Sequence, residues 1–243
     1  MSKVVLFGNA RFAETNHFYL SHDSPHEVVA FTVDRAHIQQ DELRGCPVVP
    51  FEDITQRYPP EEYLMAVPLG LKRVNQLRAE KFEQAQARGY RFVTYVSSRA
   101  VTWPGWTLGE NCFVYENVVM KPFARLGRDV IVETGSVVGH HTEIQDHCFL
   151  GPHSVVLGEC TIEPYCIIGA NAMVREGVRV ASGCIIGAGA LITRDTRPGG
   201  VYLAPASEML PGSSAELSAS TPGMNRRVPR RPPSRDSGCS RGN

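Results

Sequence analysis

The sequence predicts a parallel β-helix that is preceded by a small α/β domain and followed by a disordered tail. Through the middle of the chain a large aliphatic residue or Met returns at every sixth position, and a small residue stands four positions after each of them. The first third of the chain alternates short apolar runs with helical periods instead. The end is rich in Ser, Pro, Gly and Arg without any apolar period, a composition typical of disorder. We therefore expect domains at residues 1–95 and 96–206, and a disordered tail at 207–243.

The six-residue period defines the central domain. The residues that open its hexads are Leu108, Val114, Met120, Leu126, Val132, Val138, Ile144, Leu150, Val156, Ile162, Ile168, Val174, Val180, Ile186 and Ile192. Three six-residue strands per turn make a triangular prism, whose interior takes the aliphatic residue and whose tight corners take the small one. Stacked turns lie about 4.8 Å apart, the ordinary spacing of hydrogen-bonded strands. Residues 108–196 should therefore form five coils, and Val96 with Ala100 suggests an earlier, imperfect one.

Five of the cysteines fall on the small interior site of this repeat. They are Cys112, Cys148, Cys160, Cys166 and Cys184. A buried Cys behaves as a compact hydrophobic residue, so we expect these five to be structural. The chain has no CxxC pair and no secretion-type leader, which argues against a disulfide framework.

Short strands alternate with helices in the first domain. Strands are predicted at Lys3–Phe7, Glu27–Val33, Tyr63–Val67 and Arg91–Val96, with one helix after Gly8-Asn9-Ala10 and another that ends near Gly89. Such alternation favours a small parallel, Rossmann-like α/β domain.

Charge and hydropathy narrow the possible partners. Lys plus Arg and Asp plus Glu number 25 each, so no net field steers the chain toward nucleic acid. No stretch approaches the roughly 18 apolar residues of a spanning helix, so we expect no membrane insertion. We predict a cytoplasmic protein on these grounds.

Two adjacent histidines are the strongest candidates for chemistry. His140 and His141 are the third and fourth residues of the hexad that Val138 opens, positions that point away from the prism interior. Histidine can take a proton from an amine or a hydroxyl near neutral pH. A prism face is open to solvent, so a site there needs a neighbouring subunit to enclose it. The alternative is that both histidines are surface or interface residues.

The repeat also supports a resemblance to a known family. Together with the preceding α/β domain, the stretch GHHTEIQDHCFLGPHSVV at 139–156, IGANA at 168–172 and IGAGALI at 186–192 resemble the sugar O-acyltransferases related to the sialic acid O-acetyltransferase NeuD. Relatives N-acetylate UDP-4-amino sugars. The resemblance implies a left-handed β-helix, a homotrimer, and acetyl-CoA as the acyl donor bound between subunits. It also implies a sugar or nucleotide-sugar substrate in surface glycan biosynthesis, and an acyltransferase that needs no metal.

The resemblance assigns roles to individual residues. The catalytic histidine falls on His140, with His141 beside it. Contacts with acyl-CoA fall on Phe149, Ala170 and Ala188. The sugar-nucleotide site falls near Ala10, Arg11, Asp34 and Arg35.

Three positions depart from the family pattern. His141 replaces a carboxylate that follows the catalytic histidine, and Phe149 replaces a histidine that lies against CoA. The first loop, at residues 8–12, keeps one glycine of a turn that is usually rich in glycine.

Two other functions stay open at this stage. The first is a metalloenzyme similar to the gamma-class carbonic anhydrases, which hold zinc with histidines from adjacent prisms. His141, His147 and His153 are six residues apart, so they lie on different faces of one chain and could meet only across subunits. The second is a non-catalytic scaffold or binding subunit. A metal assay tests the first function, and CoA binding tests the second.

Overall fold

A computed structural model describes residues 2–209 and 212–215. Most of the predicted tail at 207–243 therefore lies outside the described residues. The chain through Pro205 forms one compact unit, in which an α/β layer is packed on a prism.

The α/β layer contains five strands, three α-helices and two short 3₁₀ helices in its described residues. In chain order they are β1 Lys3–Phe7, α1 Arg11–His22, β2 Glu27–Val33, a 3₁₀ helix Arg35–His37, β3 Glu42–Leu43, β4 Cys46–Pro50, a 3₁₀ helix Phe51–Asp53, α2 Ile54–Arg57, β5 Tyr63–Ala66 and α3 Gln76–Ala87. The sheet order is β3-β4-β2-β1-β5, and every pair is parallel except β3 with β4.

The sheet differs from the prediction in two places. β4 joins β2 in parallel although Pro47 and Pro50 interrupt its apolar run, and proline argues against a strand in sequence. The predicted strand at residues 91–96 is divided, because Phe92 makes only one bridge to the α/β sheet and Tyr95–Val96 joins the prism.

The prism consists of two-residue strands in three parallel sheets. Its strands are β6 Tyr95–Val96, β7 Val101–Thr102, β8 Thr107–Leu108, β9 Phe113–Val114, β10 Val119–Met120, β11 Arg125–Leu126, β12 Ile131–Val132, β13 Val137–Val138, β14 Glu143–Ile144, β15 Phe149–Leu150, β16 Val155–Val156, β17 Thr161–Ile162, β18 Ile167–Ile168, β19 Met173–Val174, β20 Arg179–Val180, β21 Ile185–Ile186, β22 Leu191–Ile192 and β23 Val201–Tyr202. We call the sheet from β6 to β23 the first face, the sheet from β7 to β22 the second face, and the sheet from β8 to β20 the third face.

Each strand pairs with the strand one coil away. Val119 pairs with Val137, and Val137 pairs with Val155, a step of eighteen residues. The predicted fold class, a left-handed parallel β-helix of hexapeptide repeats behind a small α/β domain, is confirmed. The coils also continue through residues 101–108, where the sequence pattern breaks.

The corners of the prism explain why three histidines are spaced by six. From the hexad that Thr102 opens to the hexad that Ile186 opens, the fourth residue has a positive φ. The residues at this position are Gly105, Asn111, Asn117, Phe123, Asp129, Gly135, His141, His147, His153, Glu159, Tyr165, Asn171, Gly177, Gly183 and Gly189. A left-handed residue turns the chain at each corner, and Gly, Asn, Asp and His are enriched in this conformation. The spacing of His141, His147 and His153 thus follows from the corner geometry.

Interior polar residues are hydrogen-bonded to the next coil. Ser136 Oγ donates to the Gly151 carbonyl at 2.9 Å, and Thr142 Oγ1 donates to the Leu157 carbonyl at 2.6 Å. Both residues are fully buried, so these bonds remove the cost of an unpaired hydroxyl. The five predicted cysteines are all buried in the same interior.

A buried polar network fixes α3 to one corner of the prism. Arg78 and Asp129 are both completely buried, and Arg78 Nε lies 3.0 Å from Asp129 Oδ2 at an angle that makes an ion pair and not a hydrogen bond. Asp129 also accepts a hydrogen bond from Asn111 at 2.7 Å and contacts His147 Nδ1 at 2.8 Å. Because Asn111 bonds both backbone groups of Val67, the network also fixes the loop after β5.

Candidate active site

The two predicted catalytic histidines lie together at the corner between the second and third faces. His140 follows β13 and keeps 45% of its side chain exposed. Its Nδ1 lies 3.3 Å from Nδ1 of His141, and the His141 ring contacts the Phe123 ring in a tilted arrangement at a centroid distance of 4.8 Å. In a hydrogen bond between two ring nitrogens one must donate and the other accept, so the tautomers of the two rings are linked.

A glycine one coil along leaves room for the His140 ring. A Cβ at Gly158 would lie 2.5 Å from Cε1 of His140. Glu176 occupies the equivalent position on the following coil, eighteen residues after Gly158. Its Oε1 lies 3.7 Å from His140 Nε2. The sequence interpretation missed Glu176, although two eighteen-residue steps from His140 lead to it.

A cavity of about 340 Å³ lies at the carboxyl end of the α/β sheet. Its floor is the turn after β1, where Gly8 has φ +123° and donates to the Thr32 carbonyl at 2.7 Å. A side chain at Gly8 would be strained and would place a Cβ 3.0 Å from that of Ala13. Lys81 enters the cavity from α3 and pairs with Asp34 Oδ1 at 2.6 Å.

Only two of the four predicted sugar-nucleotide residues line this cavity. Ala10 and Asp34 line this cavity, whereas Arg11 and Arg35 are not among its lining residues. Arg11 borders a separate depression on the outer side of α1, and Arg35 pairs with Asp53 at 2.7 Å.

Three basic side chains in the cavity were not predicted from sequence. They are His37, Lys72 and Lys81. They come from three separate elements or loops, so no local motif marks them.

The predicted acyl-CoA residues occupy two environments. Ala170 and Ala188 lie one coil apart at the corner between the first and second faces. A Cβ on Gly169 would lie 2.5 Å from the backbone nitrogen of Ala188, so the IGA triplet reflects a tight corner. Phe149 lies on the first face, half-buried against the hydrophobic cluster that joins the prism to the α/β layer.

The second face carries an exposed apolar ladder. Its outward residues, one per coil, are Val101, Val119, Val137, Val155, Met173 and Leu191. Val101 is 50% exposed and Leu191 is 62% exposed. The outward residues of the third face, by contrast, are Thr107, Arg125, Glu143, Thr161 and Arg179. Val119, Val137 and Val155, in the middle of the ladder, are partly exposed, so the second face is apolar along its whole length and most exposed toward its two ends.

Two of the interior cysteines, Cys112 and Cys148, are poorly suited to nucleophilic chemistry. Burial raises the pKa of Cys112 to about 12 and raises the pKa of Cys148 well above its ordinary value. A thiol is an effective nucleophile only as thiolate, so these residues stay inert near neutral pH.

Within residues 2–209 and 212–215, no three His, Cys, Asp or Glu side chains come close enough to hold a metal ion together. In the same part of the chain, no helix combines the length and the apolar character that crossing a bilayer requires.

Residues 123–158, 141–175 and 159–194 match the model of the bacterial transferase hexapeptide (six repeats) family. No curated protein matches the sequence significantly.

Solved structures match almost the whole described chain. PerB from Caulobacter crescentus, in complex with CoA and GDP-perosamine, is 25% identical with a TM-score of 0.75, over 84% of this chain and 95% of that one. The acetyltransferase domain of PglB from Neisseria gonorrhoeae is 24% identical with a TM-score of 0.76, over 86% of this chain and 100% of that domain. WeeI from Acinetobacter baumannii is 19% identical with a TM-score of 0.70, over 83% of this chain and 96% of that one. The predicted resemblance to sugar acyltransferases is confirmed.

Proposed function

We propose that this protein transfers an acyl group, most simply acetyl, from acyl-CoA to an amine or hydroxyl of a nucleotide-activated sugar. The observation that carries the proposal is the pair of outward histidines at the edge of an apolar prism face, on a chain that also holds an α/β cavity with basic side chains. Of the solved structures, PerB holds CoA and GDP-perosamine, and the PglB domain has also been solved with acetyl-CoA.

The α/β cavity suits a sugar nucleotide. Its basic residues Lys72, Lys81 and His37 complement a diphosphate, and the twelve-residue helix α1 begins at its rim. Asp34, already paired with Lys81, adds a carboxylate that can accept hydrogen bonds from hydroxyl groups. These contacts support the predicted roles of Ala10 and Asp34 more than those of Arg11 and Arg35.

The apolar ladder supports a homotrimer with sites between subunits. His140 lies at one edge of the second face, and Ala170 and Ala188 lie at the opposite edge. Three copies that bury this face around a common axis would bring the His140 corner of each against the Ala170 corner of the next. The thioester and the base would then come from different copies, and burial of the ladder would drive assembly.

The reaction follows from these positions. The acceptor nitrogen or oxygen attacks the thioester carbonyl carbon while His140 Nε2 removes its proton. The tetrahedral intermediate then collapses, the C–S bond breaks, and the proton passes from His140 to the departing CoA thiolate. The products are the acylated sugar and free CoA, and no acyl-enzyme is needed because the acceptor attacks the thioester directly. We place this reaction in the cytoplasm, where acyl-CoA and nucleotide sugars are made, as a step of surface glycan biosynthesis.

The decisive experiment is a screen of nucleotide sugars with acetyl-CoA, read by mass spectrometry, followed by histidine replacement. His140→Ala should lower kcat by about 10² to 10⁴ and leave the KM for acetyl-CoA nearly unchanged. His141→Ala should lower kcat less, and Thr161→Ala, on the third face, serves as the control. Full activity of both histidine variants would refute the mechanism, and metal-dependent activity would favour the metalloenzyme instead.

A further inference from the structure

We propose that Glu176 is a positioning residue that acts through His140 and stabilises its protonated ring. This inference rests on the proposed function. The residue that follows His140 is His141, which brings no negative charge, so a carboxylate partner for His140 has to come from another part of the fold.

The geometry singles out Glu176 among the nearby carboxylates. His140, Gly158 and Glu176 occupy equivalent positions on three successive coils, held in register by backbone bonds from Glu159 to His140 and from Gly177 to Gly158. Because His140 and Glu176 are two coils apart, their backbones are about 10 Å from each other. Their side chains meet only because the intervening residue is glycine and the imidazole occupies the space of its missing Cβ.

The two ring nitrogens of His140 have different partners. Nδ1 lies against Nδ1 of His141 at 3.3 Å, whereas Nε2 points toward Oε1 of Glu176 at 3.7 Å. Nε2 is free to take the acceptor's proton in the tautomer in which His140 Nδ1 donates to His141. When it does so, the new N–H becomes a cationic donor beside a carboxylate, and charge-assisted hydrogen bonds are about twice as strong as neutral ones.

This interaction favours the transition state over the ground state. The Glu176 carboxylate stabilises a neutral His140 ring little. It stabilises the forming imidazolium by accepting a short, charge-assisted hydrogen bond from it. Only an interaction that strengthens along the reaction raises kcat. Both side chains are substantially exposed in the single chain, 45% for His140 and 60% for Glu176. Enclosure of the corner by a neighbouring copy would reduce solvent screening there.

Glu143, another carboxylate near this corner, has a different partner. Glu143 lies on the third face, where it accepts a long hydrogen bond of 3.5 Å from Gln145. Because Glu143 is exposed and close to the histidines in sequence, Glu143→Gln is the matched control for Glu176→Gln.

A double-mutant cycle on the full chain tests the proposal, with acetyl-CoA and the acceptor found in the screen. Glu176→Gln should lower kcat about 5- to 30-fold, with both KM values within about 2-fold of wild type. In the His140→Ala background the same replacement should have no further effect, because Glu176 acts through that ring. Glu143→Gln should leave kcat unchanged in both backgrounds.

A second measurement tests the contact without any substrate. In histidine labelled with ¹⁵N, the Nε2 resonance of His140, assigned from its loss in His140→Ala, should shift in Glu176→Gln and not in Glu143→Gln. Unchanged kcat in Glu176→Gln overturns the inference, and so does an equal loss in both backgrounds. Either result leaves the proposed function standing if His140→Ala is inactive. Full activity of His140→Ala would instead refute the proposed function, and this inference would fall with it.

Discussion

Replacement of Arg78 by methionine should destabilise the protein by about 4 kcal/mol, although Arg78 lies far from the predicted chemistry. The guanidinium is completely buried and makes contacts in several directions. One NH₂ donates to the carbonyls of Asp129 and Cys148 at 3.0 and 3.1 Å. The other donates to the Leu69 carbonyl at 3.2 Å and to Asn75 Oδ1 at 3.3 Å.

The magnitude follows from what methionine leaves behind. Loss of one partner from a buried ion pair costs about 3 to 5 kcal/mol, because the other charge stays buried. The Asp129 carboxylate would keep its hydrogen bond from Asn111 and its contact with His147, which lowers the cost. The buried carbonyls that lose a donor raise it, by roughly 1 kcal/mol or more each. We therefore expect a value in the middle of the range, a large share of the total stability of a typical domain.

Urea denaturation followed by two probes measures this loss. Both tryptophans, Trp103 and Trp106, lie at the start of the prism, so fluorescence reports the prism while far-UV circular dichroism also reports the helices. Arg73→Met, which removes an exposed ion pair with Glu80, is the matched control and should cost less than about 1 kcal/mol. A free energy of unfolding for Arg78→Met within 1 kcal/mol of wild type, roughly the error of such extrapolations, would refute the reasoning.

Three further predictions concern assembly, CoA and acid stability. Val155→Asp should convert trimers to monomers, because it places a carboxylate on the apolar second face; sedimentation of an intact trimer would contradict the proposed interface. Ala188→Trp should weaken acetyl-CoA binding by about tenfold or more in calorimetry with an unchanged dichroism spectrum, and unchanged affinity would place the CoA groove elsewhere. Hydrogen bonds, the largest effect being that of Ser98, lower the pKa of Asp23 from 3.8 to about 2, so its contribution is present above pH 4 and is lost as the pH falls toward 2. The stability difference between wild type and Asp23→Asn should therefore shrink over that interval, and a constant difference would contradict this assignment.

The interior of the prism could be predicted residue by residue. The residues of one hexad, such as the one that Val138 opens, are enough to predict its structure. A large residue, a small residue four places later and a corner residue between them recur in every coil. Each coil repeats the geometry of the previous coil, so the sequence pattern of one hexad predicts the structure of the whole prism. The α/β layer has no such repetition, and β4 was missed because its prolines obscure a strand that only pairing with β2 reveals.

The repeat does not predict whether an individual corner residue is buried or exposed. His141 and His147 occupy the same position of their hexads and share the same positive φ. His141 is exposed. His147 is buried, because α3 covers the corner at which it lies and the Asp129 carboxylate contacts the His147 ring.

By itself, then, the sequence determined the prism, the inward and outward positions along it, the layer in front of it and the two histidines that the family resemblance points to. Only the tertiary structure decided which corners are covered, which basic residues share the cavity with Asp34, and which carboxylate reaches His140. The physical reason is the range of the interactions. The repeat is specified by neighbours six and eighteen residues apart, whereas the pairs Arg78–Asp129 and Lys81–Asp34 join residues about fifty positions apart through the packing of one layer on another.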